Sequence, residues 1–441
     1  MKNKITFALA CLFCITAALA QTPNKASLDK YFDALQTNNK FSGSIALSQN
    51  GKTIYTRSVG FSDQDKNLKS NETTKFRIGS ISKTFTAVLT FKAAEENKLK
   101  LTDKLDKYFP TVPNASKITV ANLLNHHSGI HSFTSDPDYM VYMTQPKTQA
   151  ELVAIISKAP SEFEPDSKGA YSNSNYVLLS FILEKAYNKP YKTILEEKII
   201  KLLGLKNTAY GSKTNSSNNE AYSYSFTGKW IKQPETDMSI PMGAGAIVST
   251  PTDLSRFIEG LFSGKIISTA SLEEMKTLKD GYGMGIFATN LDGKKAYGHD
   301  GSIDGFTSML TYFPEEKTTI AIVSNGHNDY SNKELSEVAL RWAFNQPFEI
   351  PEFKTTTYTT EQLDKYTGNY TTTEIPISIM VTKEGTSLIA QATGQGPFPL
   401  SPAEENVFKF SQAGLTMEFN PAQNQMILKQ GGGVFTFTKA K

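Results

Sequence analysis

Gly79-Ser80-Ile81-Ser82-Lys83, running directly into Thr84-Phe85-Thr86-Ala87-Val88-Leu89-Thr90-Phe91, decides how this chain is read. Phe85, Val88, Leu89 and Phe91 predict a helix from about Ser80 to Asn97 with one buried stripe. At spacing i, i+3 the Lys83 amine lies on the same helix face as the Ser80 oxygen. A serine hydroxyl is hardly ionised at neutral pH, so a nucleophilic serine needs a proton acceptor beside it. Gly79 lets the chain turn tightly, and the following helix directs its N-terminal N–H groups and dipole toward the serine. The stretch therefore predicts a serine–lysine acyl-transfer site. Without that context the pattern means little, since Ser27-Leu28-Asp29-Lys30 matches it as well.

Outward from this helix, strands stand at both ends of a large first unit. Phe41–Ser48 and Lys52–Val59 flank Asn50-Gly51, a strong hairpin signal. Leu28–Leu35 reads as a short amphipathic helix before them. The middle is mainly helical: Ile118–His126 ending at Gly129, Glu151–Ser157, Tyr176–Tyr187 stopped by Pro190, and Asp253–Phe262. Strand patterns return at Lys295–Tyr297, Phe306–Phe313 and Thr318–Ser324, followed by a helix over Lys333–Phe344. The pattern predicts an α/β (α+β) architecture, one antiparallel sheet flanked by helices plus a mainly helical lobe, with a cleft between them. Pro347, Pro351 and Thr355-Thr356-Thr357 then read as a linker. Short alternating segments from about Leu363 onward, with turns roughly every ten residues, predict a small all-β sandwich or barrel. The expected organisation is a leader over 1–20, a catalytic unit over 21–348, a linker over 349–362 and a β-domain over 363–441.

The leader reading rests on Lys2 and Lys4, the apolar run Ile5–Ala17 and the small-x-small Ala18-Leu19-Ala20 before Gln21. The run is shorter than the roughly 20 residues needed to span a bilayer. Cys11 and Cys14 raise a lipid anchor as the rival, but neither follows a suitable lead-in. Cleavage after Ala20 removes both cysteines of the chain, which excludes disulfides, thiolate metal sites and a cysteine nucleophile. It also removes Lys2 and Lys4, taking the formal charge from +3 to +1. A near-neutral balance gives no support for nucleic-acid or anionic-membrane partners. The expected product is exported, periplasmic or secreted, with no membrane-spanning segment and a small-molecule or short-peptide substrate. The sequence leaves its oligomeric state open.

Two further motifs join Ser80 and Lys83. Tyr171-Ser172-Asn173 falls in a loop after Pro165, where a phenol and a carboxamide can share proton traffic and substrate hydrogen bonding. Tyr330-Ser331-Asn332 repeats the pattern at the start of a helix, so one copy is a decoy. Gly298-His299-Asp300-Gly301-Ser302 ends a predicted strand, where glycines allow a substrate backbone to approach the sheet edge. His127-Ser128-Gly129 repeats the histidine-x-glycine spacing, but Gly129 reads there as a helix cap.

Taken in this order, the three motifs resemble the serine β-lactamase and penicillin-binding-protein superfamily. The resemblance is to its class C-like branch of esterases, D,D-peptidases and D-aminopeptidases, over roughly residues 25 to 345. Phe76-Arg77-Ile78-Gly79-Ser80, Leu123-Leu124-Asn125-His126 through Ser128-Gly129, and Gly281-Tyr282-Gly283-Met284-Gly285 support it. The segment after Leu363 looks like the lipocalin-like β-domain attached to such hydrolases.

The resemblance implies Ser80 as nucleophile, Lys83 and Tyr171 handling its proton, and Asn173 binding substrate or tuning Lys83. It implies an oxyanion hole from the Ser80 and Ser302 amides, with His299, Gly301 and Ser302 along the substrate, and no cofactor or metal. A lysine of ordinary pKa is neutral in only roughly 1 molecule in 2,500 at pH 7, so a lysine base needs its pKa lowered by about three units. Alternatively Lys83 stays charged and Tyr171 supplies a phenolate; the sequence leaves the choice open. His299-Asp300-Gly301 departs from the family's lysine-threonine-glycine, replacing a fixed cation by an imidazole mostly neutral at pH 7. That change favours ester, amide or blocked-peptide substrates over efficient penicillin hydrolysis. Asp166 after Pro165, where glycine is common, predicts an unusual shape for the loop carrying Tyr171. The leading expectation is an exported serine hydrolase working through an acyl-enzyme on small ester, amide or D-amino-acid peptide substrates. An acyltransferase, a β-lactamase or D,D-carboxypeptidase, and a non-catalytic binder of cell-wall fragments are the alternatives.

Overall fold

The computed structural model describes residues 24–226, 229–353, 358–410 and 413–440. The expected leader and the threonine run 355–357 lie outside the described residues.

Helix α1 (Lys25–Thr37) is capped by the Asn24 side chain and buries Leu28, Tyr31, Phe32 and Leu35, a spacing that keeps one stripe facing inward. The hairpin of β1 (Phe41–Gln49) and β2 (Lys52–Val59) turns on Asn50 and Gly51, both at positive φ as a two-residue turn of this kind requires. Four later strands complete an antiparallel sheet: β3 (Phe287–Leu291), β4 (Lys294–Ile303), β5 (Phe306–Phe313) and β6 (Thr318–His327). Their order is β3-β4-β5-β6-β1-β2, so the last-made strand β6 pairs with the first, β1. Strand β4 runs past the expected Tyr297 to Ile303. Its partner β3 pairs only with Lys294–Gly298, which leaves the His299–Ile303 edge of the sheet open on that side.

Helix α2 (Ser82–Glu95) follows a 3₁₀ turn at Gly79–Ile81, so Ser80 precedes the helix proper instead of opening it. The single buried stripe expected for α2 is also corrected, because Ser82 to Phe91 are buried without interruption. Burial of its polar face is tolerated because the threonine hydroxyls are satisfied: Thr84 donates to Gly285 O, Thr86 to Gly243 O and Thr90 to Thr86 O. Phe85 stacks on Phe257 at 3.6 Å between centroids, tying α2 to a later helix over Pro251–Phe262.

The expected Ile118–His126 helix shrinks to α3 (Val120–Leu124), opened by a Thr119–Asn122 capping box. It ends at Asn125, and His126 takes the left-handed conformation at φ +60°. Gly129 is therefore not its cap. Glycine is needed there because φ is +74° and a side chain would strike the Phe163 carbonyl. Helix α4 (Asn173–Tyr187) starts three residues earlier than expected and stops at Asn188, φ +50°, before Pro190. The closing helix of this unit, α5 (Asn332–Ala343), matches its expected span and packs with α1 under the sheet.

Residues 368–439 form a closed eight-stranded barrel. Its strands run in simple sequential order, and Gly368–Thr371 closes onto Gly433–Lys439. The interior is packed with side chains, among them Tyr366, Tyr370, Leu388, Phe408, Met417, Met426 and Phe437. The barrel strands include Gly368–Thr371 and Phe398–Glu404. The latter holds Pro399 and Pro402, which a strand interior disfavours, and a register shift beside Pro402 accommodates the second proline.

Candidate active site

Gly79 adopts φ +49°, and a Cβ placed on it would lie 2.7 Å from the Ser302 nitrogen and 2.8 Å from its carbonyl atoms. The turn carrying Ser80 is thus pressed against the open edge of β4. A Cβ on Gly301 would likewise stand 3.0 Å from the Ser80 nitrogen. Glycine on each side therefore permits the close approach of the Ser80 and Ser302 backbones. Behind them Arg77 donates to Asp304, Glu235 and the Thr236 and Ser212 carbonyls. This buried ion pair ties the strand entering Ser80 to the turn leaving Ser302.

Lys83 is fully buried, and its Nζ lies 2.9 Å from Ser80 Oγ, 2.7 Å from Asn173 Oδ1 and 2.8 Å from the Ala244 carbonyl oxygen. None of these partners is a carboxylate. Burial without a counter-ion pushes the Lys83 pKa well below its ordinary value. The orientation of Asn173 is fixed as well, because its Nδ2 donates to Thr134 Oγ1 at 2.8 Å and its backbone N–H donates to Ser132 Oγ. Tyr171 lies just before the first turn of α4, with Lys83 Nζ 4.9 Å from its ring centroid. Although Tyr171 is 36% exposed, desolvation around its hydroxyl raises its pKa to about 12, partly opposed by the neighbouring Ser80 hydroxyl.

His299 is buried, and its Nδ1 donates to the Asp300 carbonyl, which leaves Nε2 as the unprotonated nitrogen. Burial, helped by Lys83, lowers its pKa to about 3. Its ring meets Phe287 edge-on at 4.9 Å and Tyr171 at 6.4 Å. This position therefore carries no cation at neutral pH.

Ser80 stands between two cavities. The larger, 810 Å³, includes Ser80, Tyr171, His299, Asp300, Ser302 and the apolar Phe287 and Met309. The smaller, 310 Å³, includes Ser80, Asn173, Ser302, Phe133, Met143 and Ala244. Every site residue expected from the sequence lines one of these cavities or touches one that does.

The two decoys are also resolved. Ser331 caps α5 through a Ser331–Glu334 capping box, and Tyr330 packs on Phe353, away from Ser80. His127 bonds to the Asn125 carbonyl and to Asp280. The loop before Tyr171 does accommodate Asp166 at φ +72°, a glycine-type conformation, with its carboxylate accepting from Asn122 and Lys279. Sequence reading did not single out Thr134, the Ala244 carbonyl or the Arg77–Asp304 pair. No periodicity or motif marks contacts made across 39, 161 and 227 residues of chain.

Among the described residues no group of three or more histidine, cysteine, aspartate or glutamate side chains is placed to hold a metal. None of the described helices is long and apolar enough to cross a membrane.

The Beta-lactamase family model matches residues 28–340, and the chain belongs to this family. It is a β-lactamase-related enzyme of the hydrolase type. Penicillin-binding protein 4* of Bacillus subtilis (strain 168) is 26% identical over 442 residues, covering 92% of this chain and 96% of that protein. The teichoic acid D-alanine hydrolase of Staphylococcus aureus (strain NCTC 8325 / PS 47) is 28% identical over 340 residues, covering 75% of this chain and 80% of its own. Among solved structures, D-amino acid amidase from Ochrobactrum anthropi SV3, complexed with L-phenylalanine amide, superposes with a TM-score of 0.63 at 27% identity. That match covers 73% of this chain and 98% of the amidase.

Proposed function

We propose that this chain is an exported serine hydrolase that forms an acyl-enzyme at Ser80 with small ester, amide or D-amino-acid peptide substrates. The observation that carries the reading is the environment of Lys83. Neutral Lys83 has two N–H donors and one lone pair. Asn173 Oδ1 and the Ala244 carbonyl can only accept, so they take both donors and direct the lone pair at the Ser80 hydroxyl. A phenol raised to about 12 keeps its proton at neutral pH, which favours Lys83 over a Tyr171 phenolate as the base.

In the acylation step the Ser80 proton passes to Lys83 Nζ as Oγ attacks the carbonyl carbon. The oxygen that gains charge accepts from the Ser80 and Ser302 N–H groups. The bond to the leaving oxygen or nitrogen then breaks, and that atom takes a proton relayed from Lys83 through Tyr171. Water repeats the sequence on the ester to release the acid. Because Tyr171 lines the 810 Å³ cavity, the leaving group belongs there and the acyl group in the smaller one. The uncharged His299 leaves no fixed cation for a substrate carboxylate, which argues against efficient penicillin turnover. Relatives named for D-alanine and D-amino acid chemistry support the D-amino-acid part of the reading. The leader features of residues 1–20 support export.

The test is intact-mass detection of acyl adducts after exposure to a fluorophosphonate, a p-nitrophenyl ester, a β-lactam and a D-Ala-D-Ala peptide. Wild-type protein should gain mass at Ser80 with the fluorophosphonate and the ester, and Ser80→Ala should gain none. Equal turnover by the alanine variant would overturn the nucleophile assignment. Nitrocefin hydrolysis as fast as ester hydrolysis would replace the esterase or amidase reading with a β-lactamase.

A further inference from the structure

We infer that His126, to which no role has been given, is the positioning residue that clamps Tyr171 against Ser80, an inference that rests on the reading of Ser80 and Tyr171 above. The clamp has three parts. The Ala170 N–H donates to the His126 carbonyl at 2.9 Å, and the Ser172 N–H donates to His126 Nδ1 at 3.2 Å. Both neighbours of Tyr171 are therefore tied to one residue. The imidazole ring then lies along the Tyr171 ring, 4.5 Å between centroids and 31° between planes.

The ring has one workable protonation state. Asn175 Oδ1 accepts from Ser128 Oγ at 2.6 Å, which turns its Nδ2 toward His126 Nδ1 at 3.3 Å. Two groups that can only donate, this amide and the Ser172 N–H, converge on Nδ1. The proton must sit on Nε2, and a second proton would set a donor against two donors. Burial keeps the imidazole neutral by pushing its pKa well below the ordinary value. Tyr176 and Tyr282 enclose its remaining sides at 5.2 and 5.4 Å.

The backbone also accepts a cost to place this ring. His126 adopts φ +60°, the left-handed region that costs most side chains energy, although histidine enters it more readily than most. His126 borders neither cavity beside Ser80, so it acts on substrate only through Tyr171.

The experiment compares His126→Asn with His126→Gly in full-length protein. Both residues accept a left-handed backbone, but only asparagine places an acceptor oxygen near the Nδ1 position. Burst kinetics with a p-nitrophenyl ester give the active fraction from the amplitude and the acylation step from the rate constant. Because Tyr171 serves both half-reactions, the glycine variant should slow acylation and deacylation alike by about 10²-fold, as expected for a misplaced reacting group, which leaves a full burst and an unchanged KM. The asparagine variant should recover most of that rate. A glycine variant acylating at the wild-type rate overturns the assignment, as does an asparagine variant as slow as glycine. A smaller burst with a wild-type rate constant marks His126 as a folding residue and also overturns it. Wild-type protein that takes no label at Ser80 sinks the proposed function with it, whereas the other adverse results leave that function standing.

Discussion

Gly79→Ala tests the contact between the Ser80 turn and β4. The added methyl group would start 2.7–2.8 Å from the nitrogen, carbon and oxygen of Ser302, while a relaxed carbon-to-oxygen contact needs about 3.3 Å. The Ser302 peptide must therefore retreat by about 0.5 Å. Catalytic groups need placing to within about 0.5 Å, and deleting one oxyanion donor lowers the rate by about 10²–10³-fold. A partial displacement sits near the lower end, so acylation should slow by about 10²-fold. Alanine at φ +49° also costs about 1–3 kcal/mol of stability. Gly204→Ala separates the two effects. Gly204 has φ +63° with nothing within 4 Å of its added Cβ, so it carries the backbone strain without touching Ser302. Pre-steady-state ester hydrolysis and thermal unfolding of the two variants provide the comparison. If Gly79→Ala unfolds like Gly204→Ala and still acylates within threefold of wild type, the Ser302 amide is not an oxyanion donor.

Removing the Arg77 guanidinium should be costly, because Asp304 is wholly buried and would lose its charge partner. Arg77→Met is expected to lose about 3–5 kcal/mol in urea unfolding, and a loss below about 1 kcal/mol would contradict the pairing. His131 gives a pH-dependent prediction. Glu162 raises its pKa, burial opposes this, and Asp136 adds to the rise. A raised folded-state pKa contributes stability that is complete below the unfolded value of about 6.5 and is lost as pH climbs through the folded value. His131→Ala should therefore destabilise the fold near pH 5.5 by roughly 1 kcal/mol or less for a partly exposed pair, read as a lower Tm, and have little effect near pH 9. A penalty that grows with pH would refute it.

The legible parts of the sequence were those with local causes. Asn50-Gly51 specified a hairpin because both residues tolerate positive φ, and α1 and α5 were legible as helices, whose apolar residues the structure buries on one side. The Ser80–Lys83 relation was legible for the same reason, since one helical turn fixes it. Patterns failed where the tertiary environment reversed a local preference. The polar threonines of α2 read as an exposed face, yet carbonyls from distant segments bury them. Proline disfavours a strand interior, yet Phe398–Glu404 holds Pro399 and Pro402, with a register shift beside the second.

Residue chemistry along the chain was enough to mark a nucleophile, an amine, a phenol and a glycine-flanked strand, because each motif is written in adjacent letters. What that chemistry becomes was decided by folding. Only packing strips Lys83 of water and of any counter-ion, turns Asn173 and Ala244 toward its two N–H groups, and sets His126 behind Tyr171. These relations join segments separated by tens to hundreds of residues, and burial acts on a group through everything around it, so no local pattern can encode them.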